Sequence, residues 1–273
     1  MHPWEALNHR LVAIGTGGLT VTSDGYGSYG SVTKAVTMVV MLVGATSFVV
    51  PHQAIYERRP SVLWKNEQLR LMMAFWLIGA LVLVLSERGS WSVMDVVFGW
   101  TSALTTTGFA SRPPAEGAGG LLLWFIVAML VGGCAGSTAG GMKIGRVRRA
   151  SVSLLRRLVR IRRGQEAAAP EEDEVAIVRA ARHSALAQIV LVLGTWWIGA
   201  LVLMWTLPSG VPAGHALFET ASAVGGVGLT TGITDASLPA ASKLVLTALM
   251  WLGRLEIVPV LILFWRMSVV RVR

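Results

Sequence analysis

The sequence predicts an all-α membrane protein built from repeats of one unit: a spanning helix, a short re-entrant helix, a Thr/Gly-rich turn and a second helix. Three observations predict it. First, 53% of the 273 residues are hydrophobic and only 14% are charged, with a mean hydropathy of +0.61. Soluble chains of this length rarely look like that. Second, apolar runs of near-spanning length alternate with short basic stretches. Third, one pattern occurs three times. Placing Gly108 over Gly228 aligns Phe98 with Phe218, Ser102 with Ser222 and Ala103 with Ala223. Placing Gly108 over Gly18 aligns Ala103 with Ala13, Thr106 with Thr16 and Phe109 with Leu19. A repeated pattern decides architecture before any single segment does.

The elements follow in order. Residues 4–12 take the place of the short helix before the first turn, so the chain is expected to begin inside a repeat. Residues 1–31 lack a basic start followed by an apolar core, and no signal peptide is expected. Residues 32–50 read as one membrane helix with Lys34 near its end, followed by a basic loop carrying Arg58, Arg59 and Lys65. Residues 69–85 are the next span. Residues 91–104 are too short and too polar to cross a bilayer, which takes about 20 apolar residues. They fit a re-entrant helix that returns through residues 105–110, an irregular path tolerated only inside protein or beside water.

Residues 121–131 are apolar and run into Gly132, Gly133, Cys134, Ala135, Gly136, Ser137, Thr138, Ala139, Gly140 and Gly141. Five glycines in ten residues weaken a helix by about 1 kcal/mol each relative to alanine. A helix broken here and resuming after Met142 is expected, although small residues for close helix packing would explain the same composition. Residues 143–163 then carry nine Lys and Arg residues and 170–174 are acidic, a cytoplasmic hairpin or linker. Residues 185–207 span, with Trp196, Trp197 and Trp205 as packing or interfacial anchors. Residues 212–225 form the third short segment and 226–232 its turn. Residues 244–265 span again around Arg254 and Glu256, before a basic tail at 266–273.

The net charge of +9 would suggest nucleic acid in a soluble chain. Here the basic stretches 58–70, 143–163 and 266–273 fall on one side of the predicted layout. The positive-inside rule makes that side cytoplasmic, with no nucleic-acid partner and membrane lipid as the surroundings. The single cysteine, Cys134, excludes an intramolecular disulfide and a cysteine metal cluster. His183, Asp95 and Glu219 form no catalytic spacing, so no enzyme is expected and each is assigned to a helix end or loop. Glu219 lies in the third short segment, where it could attract cations, though capping or packing explains it too.

A buried turn rich in Thr and Gly with no charged side chain offers one chemical asset, its backbone carbonyls. Rings of carbonyls can replace the hydration shell of an alkali cation. Glycine permits the backbone needed to aim them, and the preceding helix points its partly negative C-terminus the same way.

The motifs TTTGFA at 105–110, GGCAGSTAGGMK at 132–143, SAVGGVGLTTGIT at 222–234 and GRLEIVP at 253–259 resemble the Trk/Ktr/HKT potassium transporter family, in its TrkH-type membrane subunit. The resemblance covers nearly the whole chain. It implies four pseudo-repeats around one cation pore, of which this chain carries the end of repeat two (1–67), repeat three (68–174) and repeat four (175–273). The first repeat is missing, as in an N-terminally truncated form. It implies an ion filter at Thr16, Gly17, Gly18 and Leu19, at Thr106, Thr107, Gly108 and Phe109, and at Gly226, Val227, Gly228 and Leu229. It also implies a gate at residues 132–141 with Lys143, contacted by Arg254. An interhelical ion pair would explain Arg254 as well. The transported ion is potassium, with sodium not separable, and no cofactor is implied. A homodimer and a cytosolic nucleotide-binding regulatory subunit of the TrkA/KtrA type are the implied partners. An inactive or structural fragment of such a transporter is the alternative. A secondary carrier is disfavoured by the lack of carboxylates in the re-entrant turns.

Overall fold

The computed structural model describes residues 1–22, 24–87, 91–117, 119–162, 172–208 and 210–255. The end of the last expected span with Glu256, the basic tail 266–273, the linker residues 88–90, the junction 163–171 and the side chain of His183 lie outside that description. Among the described residues all regular structure is helical.

Two units of the predicted kind, and the later part of a third, occur among the described residues. In the partial unit, which comes first, the short helix α1 (Pro3–Ile14) leads through its turn to α2 (Ser31–Gly44). Two short helices, α3 (Val49–Ile55) and α4 (Val62–Lys65), connect it to the second unit: α5 (Glu67–Ser86), α6 (Val93–Leu104) and α7 (Gly119–Val131). After α8 (Ile144–Arg162), the third unit comprises α9 (Glu172–Thr206), α10 (Ala213–Gly225) and α11 (Ala240–Leu255). The last helix of a unit packs on its own short helix and on the short helix of the next: α2 on α1 and α6, α7 on α6 and α10. That handover places α6 and α10 inside, whereas α1 buries only His9 and Ala13 and leaves Trp4, Leu7 and Leu11 exposed.

Composition explains the division. α5 and residues 185–206 of α9 are long and apolar enough to cross a membrane, and only 17% of each window is buried by the rest of the protein. Leu77, Ile78, Leu81 and Leu85 of α5 are exposed apolar side chains, as a lipid-facing helix requires. The short helices α6 and α10 are the reverse: Phe98, Trp100, Phe218 and Thr220 are fully buried. Tryptophan indole N–H groups bind the short helices to the spans. Trp76 Nε1 donates to Thr101 Oγ1 at 2.8 Å, Trp100 Nε1 to Trp76 O at 2.9 Å, and Trp196 Nε1 to Leu217 O at 3.0 Å. Trp205, by contrast, is 93% exposed.

Three expectations change. The apolar run 32–50 is not one helix, because α2 stops at Gly44 and α3 leaves at 102°. A side chain at Gly44 would overlap the Ile14 carbonyl, so this point is a close crossing of backbones. The freed groups are used by the glycine-rich segment: Ala45 O accepts from Cys134 N–H at 2.9 Å, and Phe48 N–H donates to Gly136 O at 2.8 Å. Secondly, the helix that resumes after the glycine-rich break is α8 itself, so the basic stretch is helical and not apolar. It packs on α5 and α9. Thirdly, α9 starts thirteen residues before the expected span, at Glu172, and is 35 residues long, about 50 Å at 1.5 Å per residue.

Candidate functional site

The three short helices end in the same way, and the ending is built by the backbone. Thr16, Thr106 and Gly226 donate to the carbonyls of Ala13, Ala103 and Ala223 at 3.2, 3.2 and 3.1 Å. The next residues, Gly17, Thr107 and Val227, donate to Val12, Ser102 and Ser222, each at 2.9 Å. This pair of bonds is a Schellman ending, which needs a left-handed residue at its apex. Thr16, Thr106 and Gly226 have φ of 48°, 53° and 62°. Two residues on, Gly18, Gly108 and Gly228 return to positive φ, at 70°, 91° and 88°. A strand would point successive carbonyls to opposite sides. Positive φ at alternate residues breaks that alternation and lets neighbouring carbonyls share a side. The β-branched Thr16 and Thr106 hold this geometry at a cost of about 1–3 kcal/mol each, strain of the kind that clusters at functional sites.

The turns also pack in sequence. A Cβ on Gly18 would overlap the Thr107 carbonyl oxygen, and one on Gly108 the Val227 carbonyl oxygen. A Cβ on Gly228 would meet nothing within 4 Å. Each glycine thus sits against the next turn, and the series stops at the third. Gly18, Gly108 and Gly228 share the wall of one cavity of about 450 Å³, whose rim carries Asp24 and Arg112. A second cavity of about 730 Å³ lies on the open side, between Gly17 and the third turn, Gly226, Val227, Gly228 and Leu229. The apolar residues after the glycines differ: Phe109 and Leu229 are buried, whereas Leu19 is 76% exposed.

On the other side of the turns lies the glycine-rich segment, tied to all three units. Thr138 Oγ1 donates to Ile14 O at 3.1 Å and to Gly44 O at 2.9 Å. Ala135 N–H donates to Gln68 Oε1 at 3.0 Å, and Gly140 N–H to Thr106 Oγ1 at 2.6 Å. A Cβ on Gly140 would overlap the Gly225 carbonyl at the end of α10. Within the loop, Ser137 Oγ donates to Cys134 O at 2.7 Å, and Lys143 Nζ to Ala139 O. Gly132, Gly136, Gly141 and Lys143 all have positive φ. Cys134 is buried with its Sγ 3.8 Å from Met72 Sδ, and Gly133 would press a Cβ onto Ala139 and Ala45. A cavity of about 310 Å³ is lined by the loop residues Ser137 to Gly141 and by Gly225, Gly226 and Arg254.

The residues assigned to the filter therefore lie together, and so do those assigned to the gate, directly beneath them. Arg254 faces the loop across the cavity and, among the described residues, forms no hydrogen bond with it. Glu219 is at neither a helix end nor a loop, where the sequence reading had assigned it. It is buried in the middle of α10, 4% exposed. Sequence reasoning missed Gln68 and the hydroxyls of Thr106 and Thr138 as the anchors of the loop. No spacing signal could have revealed them, because their partners are up to 124 residues away.

The chain matches the family described as TrkH, cation transport protein, over residues 1–85 and 79–269. The chain belongs to the TrkH family. The Trk system potassium uptake protein TrkI of Halomonas elongata is 31% identical, across 97% of this chain and 57% of that protein. An uncharacterized cation transporter of Methanocaldococcus jannaschii is 27% identical, across 96% of this chain and 53% of that one. The crystal structure of the potassium transporter TrkH from Vibrio parahaemolyticus superposes with a TM-score of 0.83 at 24% identity, covering 96% of this chain and 58% of that chain. The all-α fold is the TrkH fold, and the chain is a membrane protein of that family. It spans little more than half the length of the relatives it matches.

Proposed function

We propose that the chain forms three quarters of a potassium-uptake pore, in which the three repeated turns filter the ion through backbone carbonyls and the glycine-rich loop gates it from below. The observation that carries this reading is the identity of the three turns in bond pattern and in positive φ, with Gly18 and Gly108 each seated on the next turn's carbonyl. Carbonyl oxygens held by such a scaffold can exchange for water around an alkali cation, and the C-termini of α1, α6 and α10 add partial negative charge behind them. The reading makes the protein a transporter subunit, with no bond made or broken in its cargo. Potassium is the ion named for the Halomonas and Vibrio relatives. A fourth turn of the same kind, as in a complete four-repeat pore, would close the open side next to Gly228.

The basic stretches then face the cytoplasm, where α8 is placed to meet anionic lipid or a nucleotide-binding regulatory subunit, and two pores pair as a homodimer. Rubidium uptake, in cells stripped of their own potassium uptake and expressing the protein, tests the filter. Gly108→Arg and Gly228→Arg should each reduce uptake at least about tenfold at equal membrane level, since each places a cation and a side chain where carbonyls meet the ion. Transport equal to the parent in both variants would remove the filter assignment.

A further inference from the structure

The third turn is supported differently from the other two, and the difference centres on one carboxylate. Gly18 and Gly108 each rest against the carbonyl of the next turn, but among the described residues a Cβ on Gly228 would meet nothing within 4 Å. Beside it lies the cavity of about 730 Å³, with Glu219 in its wall. On that flank the third turn is held from within its own unit. Glu219 and Ser222, three residues apart, share one face of α10, and both reach the turn. Ser222 Oγ accepts from Gly228 N–H at 3.0 Å. Glu219 Oε1 accepts from Thr230 Oγ1 at 2.7 Å, from Thr231 N–H at 2.7 Å and from Thr231 Oγ1 at 3.0 Å. Glu219 Oε2 accepts from Thr234 Oγ1 at 2.8 Å. Among the described residues no Lys or Arg forms an ion pair with it.

A carboxylate buried without a cation is costly unless hydrogen bonds satisfy it, and here every donor comes from the five residues that follow the turn. The equivalent positions in the other units are solved without a carboxylate. His9 sits among Tyr26, Tyr29 and Phe109, and Gly99 makes room for Phe125. Only the unit with the open flank has an acid here.

We propose that Glu219 is the positioning residue of the third turn: it clamps residues 230–234 and so holds the Gly226–Leu229 carbonyls at the spacing that discriminates between alkali cations. This rests on the filter reading above. In the uptake assay, Glu219→Ala should raise the KM for rubidium about tenfold and weaken its preference over sodium, with maximal rate within about twofold at equal membrane level. Glu219→Gln keeps an acceptor where Oε1 stands and should recover most of that loss. Thr234→Val, which removes one donor of four, should shift KM in the same direction by less.

A fall in maximal rate alone, or a Gln variant as impaired as the Ala variant, overturns the proposal. Should Glu219→Ala not reach the membrane, the Gln and Val variants decide by the same criteria. Hydrogen exchange of the purified protein is the second readout. Backbone amides of residues 226–234 should exchange at least about tenfold faster in Glu219→Ala, and those of 105–112 at the parental rate. Unchanged exchange at 226–234 also overturns the proposal. If the parent takes up no rubidium, the functional reading fails, and the exchange result still decides whether Glu219 is the clamp.

Discussion

Thr106 combines strain with a tertiary bond. Its φ of 53° is one that a β-branched residue adopts at a cost, and its Oγ1 accepts the Gly140 N–H of the loop below. The two effects separate by substitution. Thr106→Ser keeps the hydroxyl and removes the branch, so thermal unfolding in detergent should be at or slightly above that of the parent. Thr106→Val keeps the branch and leaves the Gly140 N–H without its partner, at about 1–3 kcal/mol. Equal stability of the two variants would assign the residue's role to its backbone alone. The third copy has Gly226 at the same position, where φ of 62° costs little. Of the three turns, then, the one with an open flank is also the least constrained at its apex, which is where a clamp such as Glu219 has most to do.

Between elements, one ion pair joins the first unit to the second. Lys34 Nζ of α2 lies 2.8 Å from Asp95 Oδ1 of α6, with the two side chains 9% and 14% exposed. Asp95 also accepts from Ser92 Oγ, at 2.7 Å, and Ser92 caps α6 by accepting the Asp95 N–H at 3.2 Å. A pair this buried contributes little against an apolar replacement, but removing one partner strands the other. Asp95→Ala should therefore cost about 3 kcal/mol, whereas Lys34→Met with Asp95→Leu should cost clearly less. A loss in the double variant equal to the sum of the Lys34→Met and Asp95→Leu losses would show that the two charges are not coupled. The break after α2 belongs to this scale too. Its 102° bend is held by the bonds from Ala45 and Phe48 to the glycine-rich loop, so the loop and the bend form together.

At the scale of the whole molecule, the loop lies across the axis on which the three turns converge. Its bonds reach the C-terminal ends of α1 and α2, the start of α5 and the second turn. On the proposed reading, an obstacle in that position would set conductance. Deleting part of residues 132–141 should then raise rubidium flux at equal membrane level, and unchanged or lower flux would count against a gate. Positive φ at Gly132, Gly136 and Gly141 explains why the stretch needs its glycines, since a side chain at each would be strained. Among the described residues, the packing order of the units, each closing helix bridging to the next short helix, leaves the flank beside Gly228 open.

The sequence by itself determined the class of fold, the three copies of the unit, the positions of the turns and the break at the glycine run. Those features are written in composition, apolar length and spacing, which act along the chain. Tertiary structure decided what acts across it. The uniform-looking run at 32–50 bends because Ala45 and Phe48 exchange helical partners for Cys134 and Gly136. Thr16 and Thr106 accept left-handed geometry because the neighbouring turns and the loop hold them there. Glu219, read as a helix-end residue, is the centre of a buried knot because four donors converge on it from the following loop. Local pattern specifies which segments become helix or turn. Which carbonyl faces which donor depends on packing between residues far apart in the chain, and no window of sequence contains that information.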